Sequence, residues 1–380
     1  MLNIVVAIDS FKGSLTSLQA GDAVKEAVLR IDSTAKVHVR PLADGGEGTV
    51  DALSVLPGAQ IVHIDVHGPL MNPVKAKYCI LNSENLAVME MAEAAGINLI
   101  SRGQLNPMNA TTFGVGEMIK DAMDRGCRKF IIGIGGSATN DGGIGMLQAL
   151  GFAFLDDRGQ PIPLGAKGIE HLQSISADGV APELKNCKFR IACDVNNPLC
   201  GENGCSRIFA PQKGATEDMI LQMDGWLERY VDIAKTYNPH ADANRKGAGA
   251  AGGLGFAFAT FTNATLEPGV QIVLDETKLE EYIKNADLVI TGEGRLDAQT
   301  VMGKAPIGVA KLAKKHGKIV IAFSGCVTED ADVCNLHGID AFFPILRKVT
   351  TLDEALDTEN AYRNLKDTAY QVFRLLSINK

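Results

Sequence analysis

The chain has 380 residues, 46% hydrophobic and 22% charged, with a formal net charge of −8, which describes a globular protein able to bury a large core, in two domains at this length. The acidic balance and the lack of any Lys/Arg-rich run exclude nucleic acid and anionic membrane as partners. No apolar stretch approaches the roughly 18 residues that a membrane-spanning helix needs. Glycine is in excess, at 40 positions against roughly 7% of an average domain, and the excess is confined to 45–48 (GGEG), 133–145 (GIGGSATNDGGIG) and 247–255 (GAGAAGGLG). A local excess excludes collagen-like and low-complexity chains. Each window needs a local reason, because glycine costs backbone entropy.

In chain order, short apolar, β-branched runs end in polar, glycine-bearing turns: Ile4–Ile8 into DSFKGS, Val37–Val39 into RPLADGGEG, Phe130–Ile134 into GGSATNDGG, Leu288–Ile290 into TGEGRLD and Lys318–Phe323 into SGC. Helical spacing recurs between them at Ser17–Arg30, Gly114–Asp124, Asp218–Lys235, Gln299–His316 and Asn360–Leu376. This alternation predicts an α/β fold with a doubly wound parallel sheet, whose ligands bind at the carboxyl ends of the strands. The middle differs, with hairpin-like pieces at Ile61–Val66, Val74–Leu81 and Leu86–Met91. It reads as a second domain, 61–269, inserted into a first made of 1–60 and 270–380, with the site in the cleft between them. The start, MLNIVVAIDSF, has no basic leader, so a cytoplasmic protein is expected. Eight cysteines are too sparse for a disulfide framework, and CGENGC is too widely spaced for a CxxC pair.

The turn after Phe130–Ile134 carries the most chemistry. Gly135, Gly136, Ser137, Ala138 and Thr139 are small, and a strand feeding such a loop and then a helix presents backbone N–H groups and the helix dipole to a phosphate. No GxxxxGK[ST] motif occurs, so it is not a P-loop in the usual sense. Gly247, Gly249 and Gly252 match GxGxxG but follow a polar stretch instead of a strand. Gly133, Gly135 and Ala138 match GxGxxA after a strand, with Asp156 or Asp157 beyond it, which leaves an NAD(P)-dependent hydroxy-acid oxidoreductase as an alternative. Carboxylates recur at strand ends and in turns, at Asp9, Asp44, Glu47, Asp141, Asp194, Glu293 and Asp297. There they can hold Mg²⁺ or accept a proton, although each taken singly reads as a cap or turn former. Lys12, Lys213, Arg295 and Lys304 sit in glycine-bearing turns and can reach a phosphate or carboxylate, although each singly reads as a solvated surface charge. His63 and His67 share no helical face, no GxSxG elbow occurs, and Met89, Met91 and Trp226 read as core.

Taken together, DSFKGSLTS (9–17), PLADGGEGT (41–49), GIGGSATNDGG (133–143), CDVNNPLCG (193–201), FAPQKGA (209–215), GAGAAGGLG (247–255) and TGEGRLDAQT (291–300) resemble the bacterial glycerate kinases of the first type over essentially the full length. The resemblance implies a flavodoxin-like domain with an inserted second domain, and ATP- and Mg²⁺-dependent phosphorylation of D-glycerate to 2-phosphoglycerate. The 3-hydroxyl remains an alternative acceptor. By motif position it places the ATP phosphates on Gly135, Gly136, Ser137, Ala138 and Thr139, and makes Asp194 a metal ligand or base with Asp297 as the competing base. Lys12 and Arg295 then meet the glycerate carboxylate or the transferring phosphoryl group, which makes Lys12 a catalytic candidate, Ser10 and Asp44 face the substrate, and Glu293 joins Asp194 at the metal.

Overall fold

In the computed structural model, which describes residues 1–378, the β-branched run Asn3–Ile8 forms strand β1, with five of its six residues buried. A run with no polar face suits a strand covered on both sides. The other strands are β2 (Lys36–Val39), β3 (Ala59–His67), β4 (Pro73–Leu81), β5 (Leu86–Glu90), β6 (Lys129–Gly133), β7 (Ala153–Leu155), β8 (Ser174–Ser176), β9 (Lys188–Ala192), β10 (Ala264–Glu267), β11 (Leu288–Leu296), β12 (Ile319–Val327) and β13 (Ala341–Pro344). The chain divides into two units, one of Met1–Asp44, Asp51–Val55 and Val270–Lys380, the other of Gly45–Val50 and Leu56–Gly269.

The first unit holds a parallel sheet of spatial order β2-β1-β11-β12-β13. Renumbered along this unit the order is 2-1-3-4-5, the flavodoxin-like arrangement, whose direction of winding reverses between β1 and β11. Helix Ser17–Ile31 starts on a capping box between Thr16 and Gln19. Its small face of Ala20, Ala23 and Ala27 packs with Leu365 and Ala369 of the C-terminal helix Thr358–Ser377. Two expectations change here. The turn expected after Ile290 is strand, because the ladder with β12 continues from Gly292–Phe323 to Leu296–Val327. The helix expected over Gln299–His316 is a short 3-10 turn, Thr300–Met302, then a helix at Ala305–Lys315, because Gly303 (φ +112°) breaks the run and Pro306 restarts it.

The second unit holds a mixed sheet of order β3-β4-β5-β6-β9-β10, in which β3, β4 and β5 form an antiparallel meander and β5, β6, β9 and β10 run parallel. Residues 45–50, expected with the first domain, belong to this unit. Glu90, at the end of β5, accepts hydrogen bonds from the N–H groups of Gly48 (3.1 Å) and Val50 (2.9 Å). This strap lies flat on the carboxyl edge of the sheet, where a Cβ on Gly133 would stand 2.4 Å from the carbonyl oxygen of Gly45.

The third glycine window has a packing role. The helical stretch Ala250–Phe261 is interrupted by Ala251, Gly252 and Gly253, all in the left-handed region at φ +52°, +65° and +95°. This kink lets its backbone press on the loop after β6. A Cβ on Gly252 would lie 2.1 Å from the carbonyl oxygen of Thr139, and the Gly252 carbonyl accepts from the N–H of Gly142 at 2.9 Å. Gly252→Ala should therefore lower stability by more than about 2 kcal/mol, whereas Ala251→Gly, which relieves a left-handed alanine, should raise it by up to about 1 kcal/mol. Thermal unfolding of both variants checks the contrast.

Candidate active site

In the second unit the loop after β6 has two faces. Gly135 and Gly136 are exposed, and added Cβ atoms there would meet nothing nearer than 3.6 Å, so neither glycine is demanded by packing. Among the described residues no hydrogen bond uses the N–H groups of Gly135, Gly136 or Ser137. Three successive free amides, two of them on exposed glycines and the third on the buried Ser137, could receive an anion. Ala138 and Thr139, expected beside them, are buried; Ala138 donates its N–H to Ala95 at 2.9 Å, and the Thr139 hydroxyl is shut inside.

The helix dipole expected to serve the anion is taken already. The fully buried Asp141 carboxylate accepts from the N–H of Thr112 (2.8 Å), the Thr112 hydroxyl (2.9 Å), and the N–H groups of Gly143 (3.1 Å) and Gly145 (3.3 Å) at the start of helix Ile144–Ala149. Burial raises its pKa, and these bonds oppose the rise. Asp141 is thus an internal strut, and a pyrophosphate has no place at that helix end. Lys213 corrects the reading of it as a surface charge. It is 1% exposed, and its Nζ donates to Ser137 Oγ (2.8 Å) and to the Thr139 carbonyl (2.7 Å) from behind the loop. Sequence reasoning passed over it because a lysine in a polar turn is normally solvated. The apolar FAP before it was the available signal. Asp194 follows β9 on the exposed side, where its Oδ1 accepts from the N–H of Gly269 at 3.1 Å.

In the first unit the candidate residues gather at the winding reversal. Asp9 follows β1, is 4% exposed, and donates its N–H to the Gly292 carbonyl of β11 at 2.9 Å. Among the described residues its carboxylate accepts one short bond, from Ser10 N–H (2.7 Å). Burial, reinforced by the Asp44 charge, pushes its pKa from 3.8 to about 7. Lys12 pairs with Asp44 at 3.4 Å and is itself well exposed. Glu293 is engaged on both oxygens, by the Thr300 hydroxyl (2.7 Å) and by Lys304 (3.6 Å). Asp297 caps the following turn, accepting from the N–H of Gln299 and Thr300, and faces Arg295 (3.2 Å) and Lys304 (3.8 Å). Its oxygens are thus already engaged by two backbone amides and two cations. Arg295 keeps most of its side chain in solvent. The arrangement offers one proton acceptor poised near neutrality and two exposed cations suited to a small anion.

The raised Asp9 pKa carries a signed consequence. The folded state holds a proton that the unfolded chain releases above 3.8, so the group costs stability increasingly as pH climbs, in full above about 7. Asp9→Asn removes that cost. Its gain in Tm over the parent should therefore grow between about pH 5 and about pH 8; a gain independent of pH would contradict the shift.

Comparison with known proteins gives the chemistry a family. The glycerate kinase family model matches residues 4–377. Glycerate kinase of Haemophilus influenzae is 45% identical over 99% of both chains, and glycerate 2-kinase of Escherichia coli K12 is 44% identical over 99% of this chain and 98% of its own. A crystal structure described as glycerate kinase 2 from Salmonella typhimurium LT2 superposes with a TM-score of 0.91 at 43% identity, covering 100% of this chain and 99% of that one. No described helix is long and apolar enough to cross a membrane. End-to-end agreement in motif, length and fold leaves the hydroxy-acid oxidoreductase reading without support, and the chain is an enzyme that belongs to the glycerate kinase family.

Proposed function

We propose that the protein transfers the γ-phosphoryl group of ATP to the 2-hydroxyl of D-glycerate, giving 2-phosphoglycerate and ADP. The observation that carries the reading is the run of unbonded amides at exposed Gly135 and Gly136 and at Ser137 behind them, which suits the phosphates of a nucleotide without a Walker lysine. Ala138 and Thr139 support that run from beneath. The name of the E. coli relative, a glycerate 2-kinase, favours the 2-hydroxyl over the 3-hydroxyl.

In the first unit, Lys12 and Arg295 take the glycerate carboxylate, with Ser10 and Asp44 beside them. Asp9 receives the hydroxyl proton as oxygen attacks phosphorus, a role that suits a carboxyl group with a pKa near 7. Asp297, tied into its turn, is set aside as base. Mg²⁺ takes hard oxygen ligands, and the two carboxylates expected to hold it differ in fitness. Asp194 is an exposed carboxylate just past the end of β9, a hard oxygen donor on an accessible face, so it fits. Glu293 would have to give up Thr300 and Lys304, so it does not. When bound, the ion neutralises charge on the phosphates. The eight cysteines are free, in keeping with a reducing cytoplasm.

Incubation with ATP, Mg²⁺ and D-glycerate, followed by phosphorus and carbon NMR of the product, tests both reaction class and regiochemistry. The expected product is 2-phosphoglycerate, and 3-phosphoglycerate or no ATP consumption would overturn the proposal. Asp9→Asn and Asp194→Asn should each lower kcat by at least about a hundredfold with the fold retained. Gly136→Val, at φ +70° beside an open surface, should raise KM for ATP far more than KM for glycerate.

A further inference from the structure

Lys213 is a fully buried ammonium that, among the described residues, forms no ion pair. Burying such a charge is costly unless something in the fold or its ligand uses it. Its turn is fixed for the purpose: Pro211–Lys213 closes as a single 3-10 turn, Gly214 leaves it in the left-handed region, and the side chain is directed at the loop after β6. There it donates to Ser137 Oγ and to the Thr139 carbonyl.

The bond to Ser137 has a directional consequence. A hydroxyl has one hydrogen to give, and the Ser137 oxygen accepts from Lys213, so its own hydrogen must point elsewhere. No acceptor among the described residues takes it. That hydrogen is left for a ligand held on the neighbouring free N–H groups of Gly135, Gly136 and Ser137, and an oxygen polarised by an ammonium is a stronger donor. We infer that Lys213 is a positioning residue of the phosphate loop, fixing the Ser137 hydroxyl as a donor toward a phosphate oxygen and lending the loop its positive charge. The inference rests on the reading that this loop takes the nucleotide phosphates.

The titratable groups facing Lys213 are the Cys205 thiol and the Asp141 carboxyl. Burial pushes the thiol up to about 12, which keeps it neutral, and raises the carboxyl as well. Burial brings Lys213 itself down to about 8. An anion on the loop holds the proton in place, so nucleotide affinity should fall as the free protein loses that proton in mildly alkaline solution.

The test measures ADP affinity by calorimetry and KM for ATP and for D-glycerate, on the full-length protein and on Ser137→Ala, Lys213→Met and the double variant. Lys213→Gln is carried alongside in case the methionine variant does not fold. Each single change should weaken ADP about tenfold, the double no more than the stronger single, with KM for glycerate within about twofold. The parent should lose ADP affinity between about pH 7 and about pH 9, and the Lys213 variants should not. Multiplying losses in the double variant, or a parent affinity flat across that range, would overturn the inference while leaving the phosphate loop standing. ADP binding unchanged by Ser137→Ala would likewise overturn the inference, whereas ADP binding unchanged by Gly136→Val would overturn the loop reading on which it rests.

Discussion

The second unit is organised around one close approach, the backbone of Gly252 against the carbonyl of Thr139. Two loops far apart in sequence can touch at that distance only where one of them has no side chain. Once they do, the segment from Thr139 to Gly142 is held from below by the Gly252 carbonyl, and from within by the buried Asp141 carboxylate. Lys213 closes the remaining side. With residues 139–143 committed inward, the preceding Gly135–Ser137 has, among the described residues, no structural partner for its amides, and Gly135 and Gly136 stand exposed after β6. The receptor is what is left over when the rest of the loop has been satisfied, a preorganised array of donors that needs no rearrangement to meet an anion.

The first unit reaches a proton acceptor by topology. A 2-1-3-4-5 order leaves a gap in helix cover where the winding reverses, and Asp9 and Glu293 enter that gap from neighbouring strands. Their fates then diverge through partners. Glu293 gains a hydroxyl and an ammonium. Asp9 gains one N–H and the repulsion of Asp44, and so stays near neutrality in its titration. Two carboxylates with nearly equal burial thereby take different chemistry.

Much of this was legible in the residues. β-branched runs located the parallel strands, the glycine-rich turn after β6 marked the stretch with unused amides, and the motifs carried the family. Packing between distant segments was not legible. GAGAAGGLG matches a dinucleotide pattern, yet its glycines serve close backbone contact, and only the position of the partner loop after β6 reveals that. Asp141 looks like any acid in a glycine turn until five donors surround it. Lys213 in FAPQKGA reads as solvated because periodicity says nothing of a tertiary pocket closing over a turn. The extension of β11 through GEGRL was hidden for a related reason: a parallel ladder with β12 overrides the local turn preference of glycine.

The central claim is that the unbonded amides of Gly135, Gly136 and Ser137 receive nucleotide phosphate, and amide NMR of nitrogen-labelled protein tests it most directly. Titration with a non-hydrolysable ATP analogue and Mg²⁺ should move those three amide protons downfield together as they gain charged acceptors. Saturable binding that leaves all three unmoved while amides elsewhere respond would contradict the account.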